Sequence, residues 1–343
     1  MLIEGEKLDK MLLDAKTVLE QSNCKTFSVS SVIPKEWLVD EEKEFDKMIT
    51  KSRTVKAKIN HMLIKEMTKG QTKKCTIDAD VKIIFDFNTH KISISNEPIF
   101  IFGRYNKLEK EISQSRWLCK KCEGEGCFKC YYKGKNYTSV EELIGEHFKE
   151  LAQSSNYCMH ASGREDVDVI NTAGRPFVLE IMNPKNLLLD LNEGANLINA
   201  QKEVSVSNLK KVPRSFVELV SNSHFDKEYI AEVELDRNVT KEDVDILSNF
   251  KGVIDQQTPN RVAHRRSDLL RKRIIKDLSV VSHEANKVKI KIFCEPGTYI
   301  KELISSDKGR TNPSISSLLK CEAKCIDLIV SKINDGFLDL VVC

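Results

Sequence analysis

The sequence has no long apolar run. No window approaches the ~18 apolar residues a membrane-spanning helix needs, so a helical membrane protein is excluded. The opening residues follow suit. Met1 to Lys16 are interrupted by Glu4, Glu6, Lys7, Asp9 and Lys10, which leaves no signal-peptide core. A soluble intracellular protein with no membrane partner is the expectation. Net charge is also scarce: 54 Lys and Arg face 51 Asp and Glu, leaving +3. A protein-wide field that attracts nucleic acid is thereby excluded, and any such affinity must come from local patches. There is no internal repeat and no low-complexity tract. With 41% apolar residues, the 343-residue chain reads as globular, with about two domains.

Cysteine, by contrast, is plentiful. Seven of the eleven (Cys24, Cys75, Cys158, Cys294, Cys321, Cys325, Cys343) are scattered, often within apolar runs, and read as small core residues. The other four, Cys119, Cys122, Cys127 and Cys130, form two C-x2-C pairs separated by four residues. Each pair closes a tight turn, and Gly124 and Gly126 let the chain double back, so four thiolates can wrap one structural zinc ion. A redox dithiol pair and an iron–sulfur site are the alternatives. The Cys-x2-Cys-x-Gly-x-Gly half resembles a DnaJ-type zinc repeat, over a single repeat and without a J domain. Lys120, Lys121, Lys129, Lys133 and Lys135, with Tyr131 and Tyr132 among them, suit phosphates and bases or simply a solvated surface.

Periodicity outlines the rest. Leu8, Met11, Leu12, Ala15, Val18 and Leu19 predict an amphipathic helix over 4–22, and 42–68 again reads as largely helical. Val81–Phe87 and Lys91–Ser95 alternate around Asn88-Thr89-His90 as a hairpin, followed by an apolar stretch at Pro98–Phe102. Beyond the cysteines, 140–153 predicts a helix, and 177–182, 229–235 and 288–293 predict strands. Two further strand-like runs flank Asn334-Asp335-Gly336, a hairpin-turn signal. The fold class is therefore α+β: a mixed α/β first part, a small cysteine knuckle, and a second domain built on antiparallel sheet.

Two stretches carry candidate chemistry. In Gly163-Arg164-Glu165-Asp166-Val167-Asp168-Val169, strand alternation would send Asp166 and Asp168 to one side and both valines to the other. A carboxylate beside a guanidinium stays ionised and directed, as a nucleophile or general base requires, and an ordinary surface turn fits equally. Residues 251–276 hold eight basic residues (Lys251, Arg261, Arg265, Arg266, Arg271, Lys272, Arg273, Lys276) against Asp255 and Asp268. This patch suits a phosphate backbone, with a salt-bridged helix face as the plain alternative. Gln257-Thr258-Pro259 before it reads as a loop.

These stretches belong to a longer series. Gly163–Val169, Gly174-Arg175-Pro176-Phe177, Gln257-Thr258-Pro259 with His264-Arg265-Arg266, Gly297-Thr298-Tyr299-Ile300-Lys301-Glu302, and Gly309-Arg310-Thr311 with Pro313-Ser314 occur in order. Together they closely resemble the archaeal and eukaryotic "Pus-ten" type of tRNA pseudouridine synthase, over about residues 81–325. Trp117, the cysteine segment and Ser139–Ile144 look like the archaeal members.

The resemblance implies isomerisation of uridine to pseudouridine at position 55, and also 54, of the TΨC arm of tRNA, without a catalytic cofactor. It implies Asp166, not Asp168, as the catalytic aspartate. It gives Tyr229, in Lys227-Glu228-Tyr229-Ile230, the role of stacking on the target base. Tyr299 goes to the substrate, Lys301 serves as the basic partner of the aspartate, Arg164 orients the loop or the RNA, and Leu318 forms an apolar wall. Arg265, Arg266, Arg271 and Arg273 fall to the RNA backbone, and Cys119, Cys122, Cys127 and Cys130 to the zinc. Relatives of this type often carry a further cysteine pair near the N-terminus, where this chain has only Cys24. The implied organisation is a THUMP-containing accessory RNA-binding domain at 1–117, the zinc knuckle at 118–135 and the synthase domain at 136–343, in a cytoplasmic or nuclear monomer whose partner is tRNA. A non-catalytic zinc-containing RNA-binding or RNA-chaperone protein on the same scaffold is the alternative, and a zinc-dependent chaperone a third.

Overall fold

Alternation over Val81–Asp86 and Lys91–Asn96 predicts a hairpin, and one forms. In the computed structural model, which describes residues 5–37, 54–336 and 338, these strands (β3 and β4) pair antiparallel, Val81 opposite Asn96 and Asp86 opposite Lys91. Val81, Ile83 and Phe85 are buried on one face of β3, while the residues between them stay half-exposed. β1 (Thr26–Val32) runs parallel to β3 and to the short β2 (Lys74–Cys75), completing a four-stranded sheet of order β2-β1-β3-β4. Helix α1 (Gly5–Gln21) buries Leu8, Met11, Ala15 and Leu19, the stripe read from its 3.6-residue period. Helix α2 (Val55–Thr68) starts at a Thr54 cap, whose hydroxyl accepts from the Ala57 amide, and buries Leu63 and Met67. The earlier part of the helical expectation at 42–68, up to Arg53, lies outside the described residues. These elements belong to one compact unit, Met1–Ile101 with 145–158 and 179–194.

The second unit comprises 102–144, 159–178 and Ala195–Cys343. It is organised on a ten-stranded sheet, in which β8 (Asn156–Ala161) pairs with β9 (Ile170–Met182). The rest of the order runs from β10 (Val204–Val212) and β5 (Ile99–Lys107) through β9, β16 (Ala323–Ile333), β11 (Lys227–Leu235), β14 (Lys287–Cys294) and β13 (Leu270–Glu284) to β12 (Gly252–Gln257) and β15 (Thr311–Asn312). Most of its described pairings are antiparallel, as the strand signals predict, and β16 against β9 is parallel. The short β6 (Ile112–Ser113) and β7 (Thr138–Ser139) pair parallel in a separate two-stranded sheet. Its core includes Ala231, Val233, Ile254, Ile275, Ile290, Ile292, Leu303 and Ile304.

Three local expectations are corrected. Gly163–Val169 is not a strand or strand edge; it is the loop between β8 and β9, turning at Val167 and Asp168, with the Val169 amide bonded to the Asp166 carbonyl. The basic stretch is no helix face. It is β12, a 3-10 turn (Asn260–Arg265) and the start of β13; of the expected loop Gln257-Thr258-Pro259, only Thr258 and Pro259 are loop, because Gln257 ends β12 opposite Leu270. Asn334-Asp335-Gly336 does not turn a hairpin either. Gly336 and Leu338 are helical, the Leu338 amide bonds to the Asp335 carbonyl, and the Asp335 carboxylate is taken by Arg104. Most of the expected second strand lies outside the described residues. No helix of the described residues is long and apolar enough to cross a membrane.

Candidate active site and cysteine knuckle

Register brings the site together at one end of the large sheet. Tyr229 on β11 lies opposite Val330 on β16, and Ile329 and Val330 pair with Ile170 and Asn171, the first residues of β9. The loop that β9 continues therefore arrives beside Tyr229. A register shift between Glu228 and Tyr229 disturbs the ladder at that point. A cavity of about 480 Å³ opens here, lined by Asp166, Tyr229, Tyr299 and the apolar Val169, Leu328 and Val330. Burial raises the Tyr229 phenol well above its ordinary range, so it is a neutral ring.

The Asp166 carboxylate is held in place by a cation that the spacing of motifs does not reveal. Arg261 Nη1 donates to its Oδ2 at 2.7 Å, while Arg261 Nε donates to buried Glu302 at 2.6 Å. The guanidinium also lies 6.0 Å from the centre of the Tyr299 ring. Lys301, the expected partner of Asp166, sits 3.7 Å from it and closer to Asp168, at 2.6 and 2.7 Å. Burial pushes the Asp168 carboxyl up, but the Lys301 ammonium, a backbone hydrogen bond and the Arg261 charge together outweigh it and the net shift is down. Asp168 is thus the counter-ion that places Lys301.

Under the loop lies a buried polar network. Lys107, fully buried, donates to the carbonyls of Ile112 (2.8 Å), Asp166 (3.0 Å) and Val167 (2.9 Å), so one ammonium ties down the backbone that carries the carboxylate. Burial lowers its pKa to about 8, against the pull of Glu165, Asp168 and Asp166. Next to it, Glu165 turns inward and meets Arg175 Nε at 2.7 Å, both side chains 1% exposed. Their contact is an ion pair out of hydrogen-bond alignment. The Tyr105 hydroxyl donates to Glu165 at 2.8 Å, and Gln114 donates to Tyr105 and to the Gly163 carbonyl. A side chain on Gly163 (φ +75°) would come within 3.1 Å of Arg175. Glu165→Gln would leave a buried guanidinium unpaired. The expected cost is about 3–5 kcal/mol in chemical denaturation, with part of it recovered in Glu165→Gln/Arg175→Met; a loss below 1 kcal/mol would contradict this role.

The rim is cationic. Arg164, Lys227, Arg266, Arg271 and Arg273 line the cavity, with Arg261 and Lys301, against Glu165 and Asp166. Arg266 donates to the Tyr299 hydroxyl (3.1 Å) and Arg271 to Thr258 (3.0 Å). Arg273 Nε is buried without a partner. An unmet buried donor costs about 1–3 kcal/mol unless a ligand satisfies it. Gln256, fully buried, holds Tyr299 at both its amide and its carbonyl, at 2.9 Å each.

The cysteine knuckle is closed at its base by a bridge between Leu118 and Lys135. Its four Sγ atoms lie within 4.8 Å of one another, the one such cluster among the described residues. Three separations are 3.8–3.9 Å. A tetrahedron of metal–sulfur bonds of ~2.3 Å has edges of about 3.8 Å, so the donor set fits one tetrahedral ion. The amides of Gly126, Cys127 and Gly134 donate to the Cys122 and Cys130 sulfurs at 3.2–3.3 Å, as thiolate ligands require. Glycine is needed at the crossing: a Cβ on Gly134 would lie 2.3 Å from the Gly124 carbonyl oxygen.

The family described as "Pus10, C-terminal" matches residues 100–334, which include the whole of the cavity and the knuckle. The chain belongs to the Pus10 family. It is 38% identical over 341 residues to the tRNA pseudouridine synthase Pus10 of Methanocaldococcus jannaschii, covering 98% of this chain and 74% of that one. It is 38% identical over 273 residues to the Pus10 of Archaeoglobus fulgidus (79% and 76% covered) and 34% over 334 residues to that of Methanothrix thermoacetophila (95% and 74%). Within this chain the structure gathers Asp166, Arg164, Tyr229, Tyr299, Lys301, Arg266, Arg271 and Arg273 around one cavity. Leu318, on helix Ile315–Leu319, is not among its lining residues, and the side chain of Arg265 lies outside the described residues. The sequence reading assigned no site role to Lys107, Glu165, Arg175, Gln256 or Glu302, and counted Arg261 only as part of a basic patch. Arg175, Arg261 and Glu302 stand in or beside the recognised motifs, which was the available signal.

Proposed function

We propose that this chain is a tRNA pseudouridine synthase acting on uridine 55, and also 54, of the TΨC arm, in the cytoplasm and as a monomer. One observation carries the reading: within the segment shared with the Pus10 family, Asp166 is held at its carboxylate by Arg261 and at its carbonyl by Lys107, at a cavity that a neutral, partly buried tyrosine also lines. The isomerisation breaks N1–C1′, turns the uracil and forms C5–C1′; the C5 proton leaves and N1 gains one, so no atom is lost and no redox partner is required. In this reading Asp166 meets the ribose and base, with Arg261 and Lys301 fixing its direction. Tyr229 stacks on the base and, with Val169, Leu328 and Val330, retains the detached uracil and keeps water out. Tyr299 borders the substrate. Arg164, Arg266, Arg271 and Arg273 grip phosphates of an RNA whose uridine has left the stack. The knuckle binds structural zinc through Cys119, Cys122, Cys127 and Cys130. Residues up to about 101 act as a THUMP-containing accessory RNA-binding domain, 118–135 as the knuckle, and 136–343 as the synthase domain, to which 102–117 contribute the supports of the Asp166 loop.

The decisive experiment is site-resolved carbodiimide mapping of pseudouridine on an unmodified tRNA transcript. New pseudouridine at 54 or 55 is the expected result; RNA binding without turnover would overturn the reading.

Lys107 gives the reaction a pH signature. Its folded pKa of about 8 lies below the ordinary lysine value of 10.5. Between these two values the unfolded chain holds the extra proton, so this group's contribution to stability rises with pH across that window. Activity moves the other way, because a neutral amine has two N–H donors for three carbonyls. Turnover is expected to fall as pH rises through about 8, and Lys107→Met to flatten that limb. It will not erase it, since burial also brings Lys227 at the cavity wall to about 8. A wild-type profile flat from pH 7 to 10 would refute this.

A further inference from the structure

The cysteine knuckle exposes more aromatic surface than its own fold uses. Phe128, Tyr131 and Tyr132 are 79, 80 and 75% exposed. Large rings are ordinarily mostly buried, and three within five residues make a patch instead of scatter. The backbone holds them there. The Tyr131 amide bonds to the Phe128 carbonyl and the Tyr132 amide to the Cys127 carbonyl. Both tyrosines take left-handed φ values of 52° and 62°, a strained choice for residues with a side chain.

Charge indicates what covers the patch. Lys120, Lys121, Lys129 and Lys133 are exposed around it, and none makes an ion pair among the described residues; Lys135, by contrast, bonds to Glu142 at 2.7 Å. Protein interfaces bury rings but are poor in lysine. An unpaired nucleic-acid strand takes both at once, bases on rings and phosphates on ammonium groups. The knuckle also adjoins the cavity through its stem. Trp117, just before it, lies 5.6 Å from the Tyr137 ring and beneath the Arg164 guanidinium, 6.0 Å from the ring centre, and Arg164 lines the cavity wall.

We propose that Phe128, Tyr131 and Tyr132, flanked by these lysines, form a stacking platform for an unpaired stretch of the same RNA whose uridine enters the cavity. The proposal rests on the RNA-substrate reading and adds a second contact point outside the reacting site. It is tested with Phe128→Ala/Tyr131→Ala/Tyr132→Ala in the full, metal-loaded chain, metal content and thermal unfolding serving as fold controls. Two assays are run: KM and kcat on a tRNA transcript, and the Kd of a fluorescent single-stranded oligouridine, with a blunt RNA duplex as comparison. The expected result is a rise of at least about tenfold in KM and in the oligouridine Kd, with kcat and duplex affinity unchanged. Unchanged KM and oligouridine affinity in a folded, metal-loaded variant would overturn the platform while leaving catalysis intact. Loss of oligouridine binding in the variant, from a wild type that makes no pseudouridine, would keep the platform and overturn the catalytic reading instead.

Discussion

Asp166→Asn is expected to reduce pseudouridine formation at least about a thousandfold while leaving tRNA affinity within about threefold of the original. The two halves of this expectation have separate causes. Asparagine is isosteric and its carbonyl oxygen can still accept from Arg261 Nη1, now found at 2.7 Å. The loop itself hangs from Lys107 by main-chain carbonyls, which the substitution does not touch. The phosphate-gripping arginines are likewise unaltered. What disappears is the negative charge at the ribose and the ability to take a proton. Arg261 is about one third exposed, so the ion pair lost with that charge contributes at most about 1 kcal/mol to stability, and the variant should fold. Single-turnover mapping on a saturating transcript separates the two quantities. Undiminished product formation would remove Asp166 from the chemistry.

Removing the metal should have the largest effect on local stability. Metal analysis of the purified chain is expected to return about one zinc ion, and Cys130→Ser, or a strong chelator, to unfold the knuckle. Four buried or half-buried cysteine sulfurs, with separations of 3.8–3.9 Å that are far too long for a disulfide, suit a shared metal ion. Binding of zinc to small peptides of this kind is worth about 10–16 kcal/mol, and folding of the knuckle depends on it. The damage should stay local, because the large sheet's core is built from Ile275, Ile290, Ile292 and their neighbours and takes nothing from 118–135. Amide exchange reads this directly: protection should vanish at Gly126, Cys127 and Gly134 and persist along β11 and β14. A metal-free chain whose knuckle amides remain protected would contradict the assignment.

What was legible in the sequence follows from range. The knuckle was legible because all four donors lie within twelve residues, and the β3–β4 hairpin because its faces differ in polarity. That Asp166 and Tyr229 come to one cavity was legible through a family pattern and not through alternation, which wrongly predicted a strand for a loop. The supports of Asp166 come from far away, Arg261 from 95 residues on and Lys107 from 59 residues before. No local period marks them. Asn334-Asp335-Gly336 failed for the same reason, since the Asp335 side chain that would favour a tight turn is engaged by Arg104, 231 residues earlier. Charge density in 251–276 marked a cationic surface correctly but carried no information on whether helix or strand would present it.

Among the described residues, Lys107 grips three carbonyls and no side chain. Its hold on the loop is therefore blind to the identity of the residues it holds. Val167, or the residue at position 112, can change without weakening the anchor, whereas one substitution at position 107 releases all three points together. Sequence drift in the loop and sequence drift beneath it are thus unequal hazards: the visible, reactive segment has room to vary, and the unseen lysine below it has almost none.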